Sequence, residues 1–266
     1  MAHEEAGANP VHHSEFRLVL RVGAGAACQA HNLETPVRIR HPRRLTVRRS
    51  EVQVSWANRG NSAEAWEGAF APGGHWDEIG GDALTAAFGR CILEHLIPEV
   101  TEYLETARRW VLDWGCARGQ ATVLLRERFP RARVVGLDFA ERAITQARQR
   151  YGGHFIYEQE GRIRWDWDVI VNSNVLEHLP DPIGVLREHL SHTNAYYIIL
   201  TPYEEDLNEG NDMTVEQRRA AGYGHVQRFG LADFPDEVDG AKCIQRDVIE
   251  PGPAWPGRQL LLTYKR

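Results

Sequence analysis

The stretch VLDWGCARGQ, residues 111–120, and an acid 19 residues beyond its second glycine can together grip a polar ligand. The residues concerned are Asp113, Gly115, Gly119 and Asp138. Glycines directly after an apolar strand let the backbone turn tightly and approach a ligand, and the next helix offers its first N–H groups to an anion. Dinucleotide-binding folds use that turn for a pyrophosphate. Asp113, two residues before Gly115, would repel a pyrophosphate and attract an ammonium group. A moiety with an amine for the acid and a carboxylate for the backbone N–H groups is an amino acid. Asp138 stands where an acid at the tip of a second strand accepts both hydroxyls of a ribose. The ligand implied is a nucleoside that carries an amino acid, and S-adenosylmethionine fits that description.

These residues need a frame, and the surrounding pattern predicts one. WVLDWG reads as a strand, Gln120 to Arg128 as a helix, ARVVGLD as a strand and Glu141 to Tyr151 as a helix. HFIYEQ and WDVIVNS follow as strands, Ile183 to Leu190 as a helix, and AYYIILT as a strand. Short apolar strands alternating with amphipathic helices imply a parallel sheet covered on both faces, hence an α/β fold. AKCIQRDVIE and RQLLLTYK are joined by PGPAWPG, too short for a helical crossover, so they pair antiparallel at the end of the sheet.

Upstream, Leu84, Ala87, Phe88, Cys91, Ile92 and His95 recur at helical spacing, and Pro98 separates that helix from a second around Val100 to Thr106. Residues 57–82, rich in Gly, Asn and Ser, read as a linker that becomes a lid or entry segment. Trp66, Phe70 and Trp76 within it are expected to pack on the domain surface rather than cover a ligand. FRLVLRV, PVRIR and LTVRRSEVQVSW alternate apolar with polar or basic residues, which predicts strands with one covered face. Residues 1–60 are therefore expected to form a small β-rich appendage, and residues 61–266 the main domain. The arginines from Arg38 to Arg49 are expected on a solvated sheet face.

The 266 residues carry a formal net charge of -6 and are 42% hydrophobic and 26% charged. That balance favours neither a polyanion binder nor a membrane-surface protein. Cys28, Cys91, Cys116 and Cys243 are far apart and lack the paired spacing of a thiolate zinc site, so reduced thiols are expected. The first residues, MAHEEAGANPVHH, carry acids where a signal peptide needs basic and apolar residues. No apolar run reaches the ~18–20 residues that span a bilayer. A cytoplasmic location is expected.

VLDWGCARGQ, VVGLDFAERAITQAR and WDVIVNSNVLEHLPDP resemble, in order and spacing, the successive motifs of class I S-adenosylmethionine-dependent methyltransferases. The resemblance runs over roughly residues 62–266. It implies a Rossmann-like fold with a seven-stranded, mostly parallel sheet whose last strand is antiparallel. It also implies that Asp113, Gly115, Ala117 and Gly119 hold the methionine end of the cofactor, Asp138 the ribose, and Phe139 a face of the adenine. Ala117 departs from the middle glycine of many members. For the acid that meets the adenine amino group, Glu158 and Glu160 are candidates and Glu160 is chosen. Asn172, Ser173 and Asn174, at the end of the fourth strand, are expected beside the sulfonium and the acceptor.

Methyl transfer is an in-line displacement at an activated carbon, so alignment carries most of the catalysis. Cys116 is then a wall of the pocket and not a nucleophile. An acceptor hydroxyl needs a general base or a metal to take its proton, and Glu177, His178 and His225 are the candidates. Two subgroups of the family bind a divalent cation through Glu-x-x-Glu-His, one of them with a later histidine. Asn174 replaces the first glutamate here, so no metal is expected, and Glu177 and His178 are expected to form a hydrogen-bonded start to the next helix. A small-molecule or saccharide acceptor, methylated on a hydroxyl or amine, is expected. The acids Glu204, Glu205, Asp206, Glu209 and Asp212 disfavour a nucleic acid across that loop. An RNA 2′-O-methyltransferase and a non-catalytic cofactor-binding subunit are the alternatives.

Overall fold

The computed structural model describes residues 61–207, 214–217, 224–252, 255 and 257–266. The appendage expected over residues 1–60, its arginines, Cys28, and the loop acids Glu209 and Asp212 lie outside the described residues.

Among the described residues, four helices precede the first strand: α1 (Ala63–Ala69), α2 (His75–Glu78), α3 (Gly81–His95) and α4 (Pro98–Thr106). The segment expected as a linker is thus partly helical. Ser62 starts α1 by accepting a bond from the Ala65 N–H at 3.2 Å, and Pro98, with no N–H to lose, opens α4. Alternation follows through β1 (Trp110–Trp114), α5 (Gln120–Arg128), β2 (Arg133–Asp138), α6 (Glu141–Tyr151), β3 (Phe155–Tyr157) and β4 (Trp167–Ser173). A 3-10 turn at Leu176–His178 leads to α7 (Pro182–Ser191) and β5 (Thr193–Pro202). The chain continues through β6 (Glu237–Val238), β7 (Ala241–Ile249) and β8 (Gln259–Lys265).

The sheet order is β3-β2-β1-β4-β5-β8-β7-β6. The first five strands are parallel, β8 lies antiparallel against β5, and β7 antiparallel against β8. This is the expected architecture with one addition. The eighth strand, β6, has only two residues, too few to show any period in the sequence.

Strand alternation sends successive side chains to opposite faces. Tyr196, Ile198 and Leu200 of β5 join Phe88 and Ile92 of α3, Leu104 of α4 and Leu125 of α5 in the main core. On the other face Tyr197 and Trp114 meet His189 of α7. Because β1, β2 and β4 run parallel, their carboxyl ends share one edge of the sheet. The strand order reverses direction between β1 and β4, and open α/β sheets bind ligands in the crevice at that switch point.

One expectation fails here. Glu177 and His178 do not start α7. They sit in a separate 3-10 turn, and α7 begins at Pro182, capped by Asp181, whose side chain accepts from the Gly184 N–H at 2.9 Å. The sequence Leu-Pro-Asp-Pro enforces the break, since a residue before proline is pushed out of helical geometry.

Candidate functional site

The turn after β1 is built from left-handed residues: Gly115 has φ 75°, Ala117 φ 49° and Gly119 φ 87°. Ala117 occupies its left-handed place at a cost of roughly 1–2 kcal/mol. Two contacts hold it there. Its N–H donates to Asp138 Oδ2 at 2.9 Å, and its methyl packs in a cluster with Phe70, Ala140 and Ala143, flanked by Trp66 and Trp76. The two glycines are required by packing as well as by backbone angle. A Cβ on Gly115 would lie 2.5 Å from Val175 Cγ2, and one on Gly119 would lie 2.5 Å from Phe155 Cε1.

Asp113 and Asp138 are both buried. Burial pushes each carboxyl up to about 6. The Thr122 hydroxyl, donating to Asp113 Oδ2 at 2.6 Å, opposes the shift at Asp113. At Asp138 the N–H groups of Ala140 and Ala117 oppose it. Asp138 Oδ2 accepts from Ala117 and Oδ1 from Ala140, and a carboxylate has about four acceptor positions, so room is left for a ligand hydroxyl. Close by, Gln120 at the start of α5 leaves both amide atoms buried without a partner, and Asn172 leaves its Oδ1 so. Buried polar atoms are normally satisfied. These orphans, with Asp138, fit a polar ligand such as a nucleoside bearing an amino acid.

The expected adenine contact falls differently. Glu158 is the buried acid, accepting from the N–H groups of Glu160 and Arg162 and from the Arg164 guanidinium. Glu160 is exposed and ion-paired with Arg162 at 3.0 Å. Phe139 is half-buried beside Gly161. At the end of β4, Asn172 is buried, Ser173 and Asn174 are half-buried, and Asn174 takes φ 52°.

A second cluster lies past β4. Glu177 is fully buried; its Oε2 accepts from Thr201 Oγ1 at 3.2 Å, while Oε1 has no hydrogen-bond donor. Burial pushes its carboxyl up to about 7, against the pull of His225. His178 Nδ1 bonds to the Gly224 carbonyl at 3.0 Å, so Nδ1 carries the proton. Loss of solvation, and then the neighbouring His225, pushes the His178 imidazole down to about 3. The rings of His178 and His225 meet edge to face at 4.7 Å. His225 Nδ1 contacts Glu205 Oε2 at 2.6 Å, and its Nε2 lies 3.9 Å from Glu177 Oε1. One ligand atom from each of Glu177, His178 and His225 falls within 4.8 Å of the others, close enough for one cation to touch all three.

The methyltransferase-domain family pattern matches residues 85–240, more than half of the chain. The chain belongs to the methyltransferase family. Trans-aconitate 2-methyltransferase of Azoarcus sp. (strain BH72) is 37% identical over 86 residues, covering 31% of this chain and 34% of that protein. Malonyl-[acyl-carrier protein] O-methyltransferase of Bacillus cereus is 34% identical over 103 residues, covering 37% of this chain and 38% of that protein. These matches span less than half the length of either relative. Among solved structures, the plantazolicin methyltransferase BpumL in complex with SAH shares the fold, with TM-score 0.53 and 15% identity over 77% of this chain and 95% of that one.

In this methyltransferase-family chain the turn after β1 brings Asp113, Gly115, Ala117, Gly119 and Asp138 together, and Glu177, His178 and His225 come together past β4. Four further residues join them. Asn61 Nδ2 donates to the carbonyls of His178 (2.7 Å) and Gly224 (3.1 Å), and Trp66 meets the His178 ring at 5.2 Å. Arg118, inside the glycine turn, pairs with Asp77 at 2.6 Å and holds α2 against the turn. Glu205 contacts His225. Trp66 was legible only as an aromatic expected on the domain surface and Glu205 only as one of several loop acids, and nothing in the spacing of Asn61 or Arg118 singles them out. Among the described residues Cys91, Cys116 and Cys243 are free thiols. Burial raises the Cys116 thiol well above its ordinary range, which suits a pocket wall and not a nucleophile. No helix among the described residues is long and apolar enough to cross a membrane.

Proposed function

We propose that the chain binds S-adenosylmethionine over the glycine turn and directs its methyl group to a hydroxyl or amine of a small-molecule or saccharide acceptor. The observation that carries this reading is the shared sheet edge. It brings a buried, backbone-gripped acid (Asp138) past the carboxyl end of β2 and a buried acid with two imidazoles (Glu177, His178, His225) past that of β4, the two strands that flank β1 in the parallel sheet. The cofactor would supply an activated methyl on a sulfonium, so that an acceptor lone pair forms the new bond while the carbon–sulfur pair stays with sulfur. Asp138 would accept the ribose hydroxyls, and Asp113 and the turn N–H groups would face the methionine end. Phe139 would lie along the adenine. The buried Glu158 supports an acid near the base better than Glu160 does.

The acceptor proton needs a base whose pKa lies near the working pH. His178, held at about 3, is a weak one. His225, contacting the Glu205 carboxylate and facing Glu177, is the better base in this reading, and no metal is invoked. Relatives named for trans-aconitate and for a malonyl-carrier protein support an acceptor that is not a nucleic acid.

Two measurements test the reading. Calorimetry of S-adenosylmethionine on Asp138→Ala should show affinity lowered about 30- to 150-fold, the loss of a charge-assisted bond pair worth roughly 2–3 kcal/mol. Labelled-methyl transfer into host-cell metabolites should then yield a small methylated product. Unchanged affinity removes Asp138 from the site, and label recovered only in RNA overturns the acceptor class.

A further inference from the structure

Glu205 is one of several acids in the loop after β5, and solvation alone would explain it by composition. Its surroundings do not match a solvated side chain. Glu205 is about three-quarters covered, with 24% of its side chain exposed, and its Oε2 lies 2.6 Å from His225 Nδ1. The backbone on both sides of this contact is tied down. Tyr203 N–H donates to the Arg258 carbonyl at 3.0 Å, and Glu204 N–H to the Phe229 carbonyl at 2.7 Å. Val226 and Gln227 N–H groups both donate to the Glu177 carbonyl, at 2.9 and 3.0 Å. Three segments distant in sequence, around Glu177, Glu205 and His225, are therefore joined by main-chain bonds.

Glu204 adds a second observation. It takes a left-handed φ of 47°, unfavourable for a residue with a Cβ, and such strain persists only where the surroundings enforce it. Its own carboxylate points to Arg258, 3.7 Å away, while the next residue turns back toward His225. Groups facing His225 include Glu205 at one ring nitrogen, Glu177 at the other, the His178 ring on one side and the Trp255 ring at 6.3 Å.

We propose that Glu205 is the positioning residue of the acceptor site, holding His225 by Nδ1–H so that Nε2 is the basic nitrogen turned toward Glu177 and the acceptor. The inference rests on the methyl-transfer reading above and deepens it. A carboxylate at Nδ1 fixes the tautomer and orientation of an imidazole, as the third member of a nucleophile–base–acid triad does. Glu205 itself touches no reacting atom.

The test reads the ring directly. In full-length protein with ¹⁵N-labelled histidine, neutral His225, assigned with His225→Gln, should carry its proton on Nδ1. In Glu205→Ala that preference should be lost, with S-adenosylmethionine affinity within about two-fold of the parent. Glu205→Gln keeps the shape and removes the charge. With the acceptor found by labelling, both variants should lower kcat about 10- to 100-fold with KM nearly unchanged, a part of the 10²- to 10⁴-fold that a general base contributes. An unaltered Nδ1–H tautomer in Glu205→Ala overturns the inference, as does kcat equal to the parent in both variants. Absence of methyl transfer by the parent protein would sink the functional reading instead, and the ring measurement would still decide the role of Glu205.

Discussion

The two ends of the proposed site, the cofactor end and the acceptor end, are built in opposite ways. At the glycine turn, Asp138 is held by main-chain N–H groups and Asp113 by a hydroxyl nine residues ahead on α5. These two acids and the groups that hold them lie between residues 113 and 140. At the far end, Glu177, His178, Glu205 and His225 come from three loops and meet through side chains, with one carboxylate oxygen left unbonded in the interior. A binding end made of backbone is rigid and local. A reactive end made of side chains can leave a group underbonded, poised for a proton, because main-chain bonds elsewhere hold the loops in place.

If that division is right, damage at the reactive end should spare binding. His225→Ala is expected to lower turnover about 10²- to 10⁴-fold while leaving S-adenosylmethionine affinity nearly intact, with His178→Ala the milder change because its ring is a poor base. Turnover before and after exhaustive chelation sharpens the comparison. Activity that vanishes with chelator and returns with magnesium or manganese would make the cluster a cation site and replace His225 as base.

Gly115→Val tests the boundary between the two ends. The left-handed φ and the 2.5 Å approach to Val175 together should weaken cofactor binding on the order of 100-fold. Because Val175 leads into the turn bearing Glu177, turnover at saturating cofactor should fall as well. A folded variant with parental affinity and rate would show that the turn yields without consequence.

The smallest effect concerns stability. Glu177 titrates at about 7 in the folded chain against an ordinary 4.5, so the native state binds this proton more tightly than the unfolded one does. Its contribution is therefore most favourable below about pH 4.5 and is lost as pH rises through about 7, by on the order of 3 kcal/mol. Glu177→Gln should remove that slope: denaturation at pH 5 and pH 8 should show the variant gaining on the parent at pH 8, while turnover falls. Asp113 and Asp138 titrate in the same direction and His178 in the opposite one, and all three cancel in the parent-minus-variant difference. Equal slopes would mean that Glu177 is better solvated than its place indicates.

Asp113, Gly115, Gly119 and Asp138 were legible in the sequence because a strand, its turn and the next helix are short-range structures whose backbone needs certain residue types at certain spacings. The helices Gln120–Arg128 and Glu141–Tyr151 and the antiparallel pair at the end of the sheet followed from periodicity and connection length in the same way. Tertiary structure alone decided that Glu158, not Glu160, is the buried acid, since the two are two residues apart in one polar turn and differ only in which N–H groups and guanidinium they meet. It alone brought Asn61 to His178 across 117 residues and His225 to Glu205 across 20. Periodicity reports which face of an element is covered, and local spacing reports how a turn closes. Neither reports which loops meet over the sheet edge, because that depends on the order in which the strands pack.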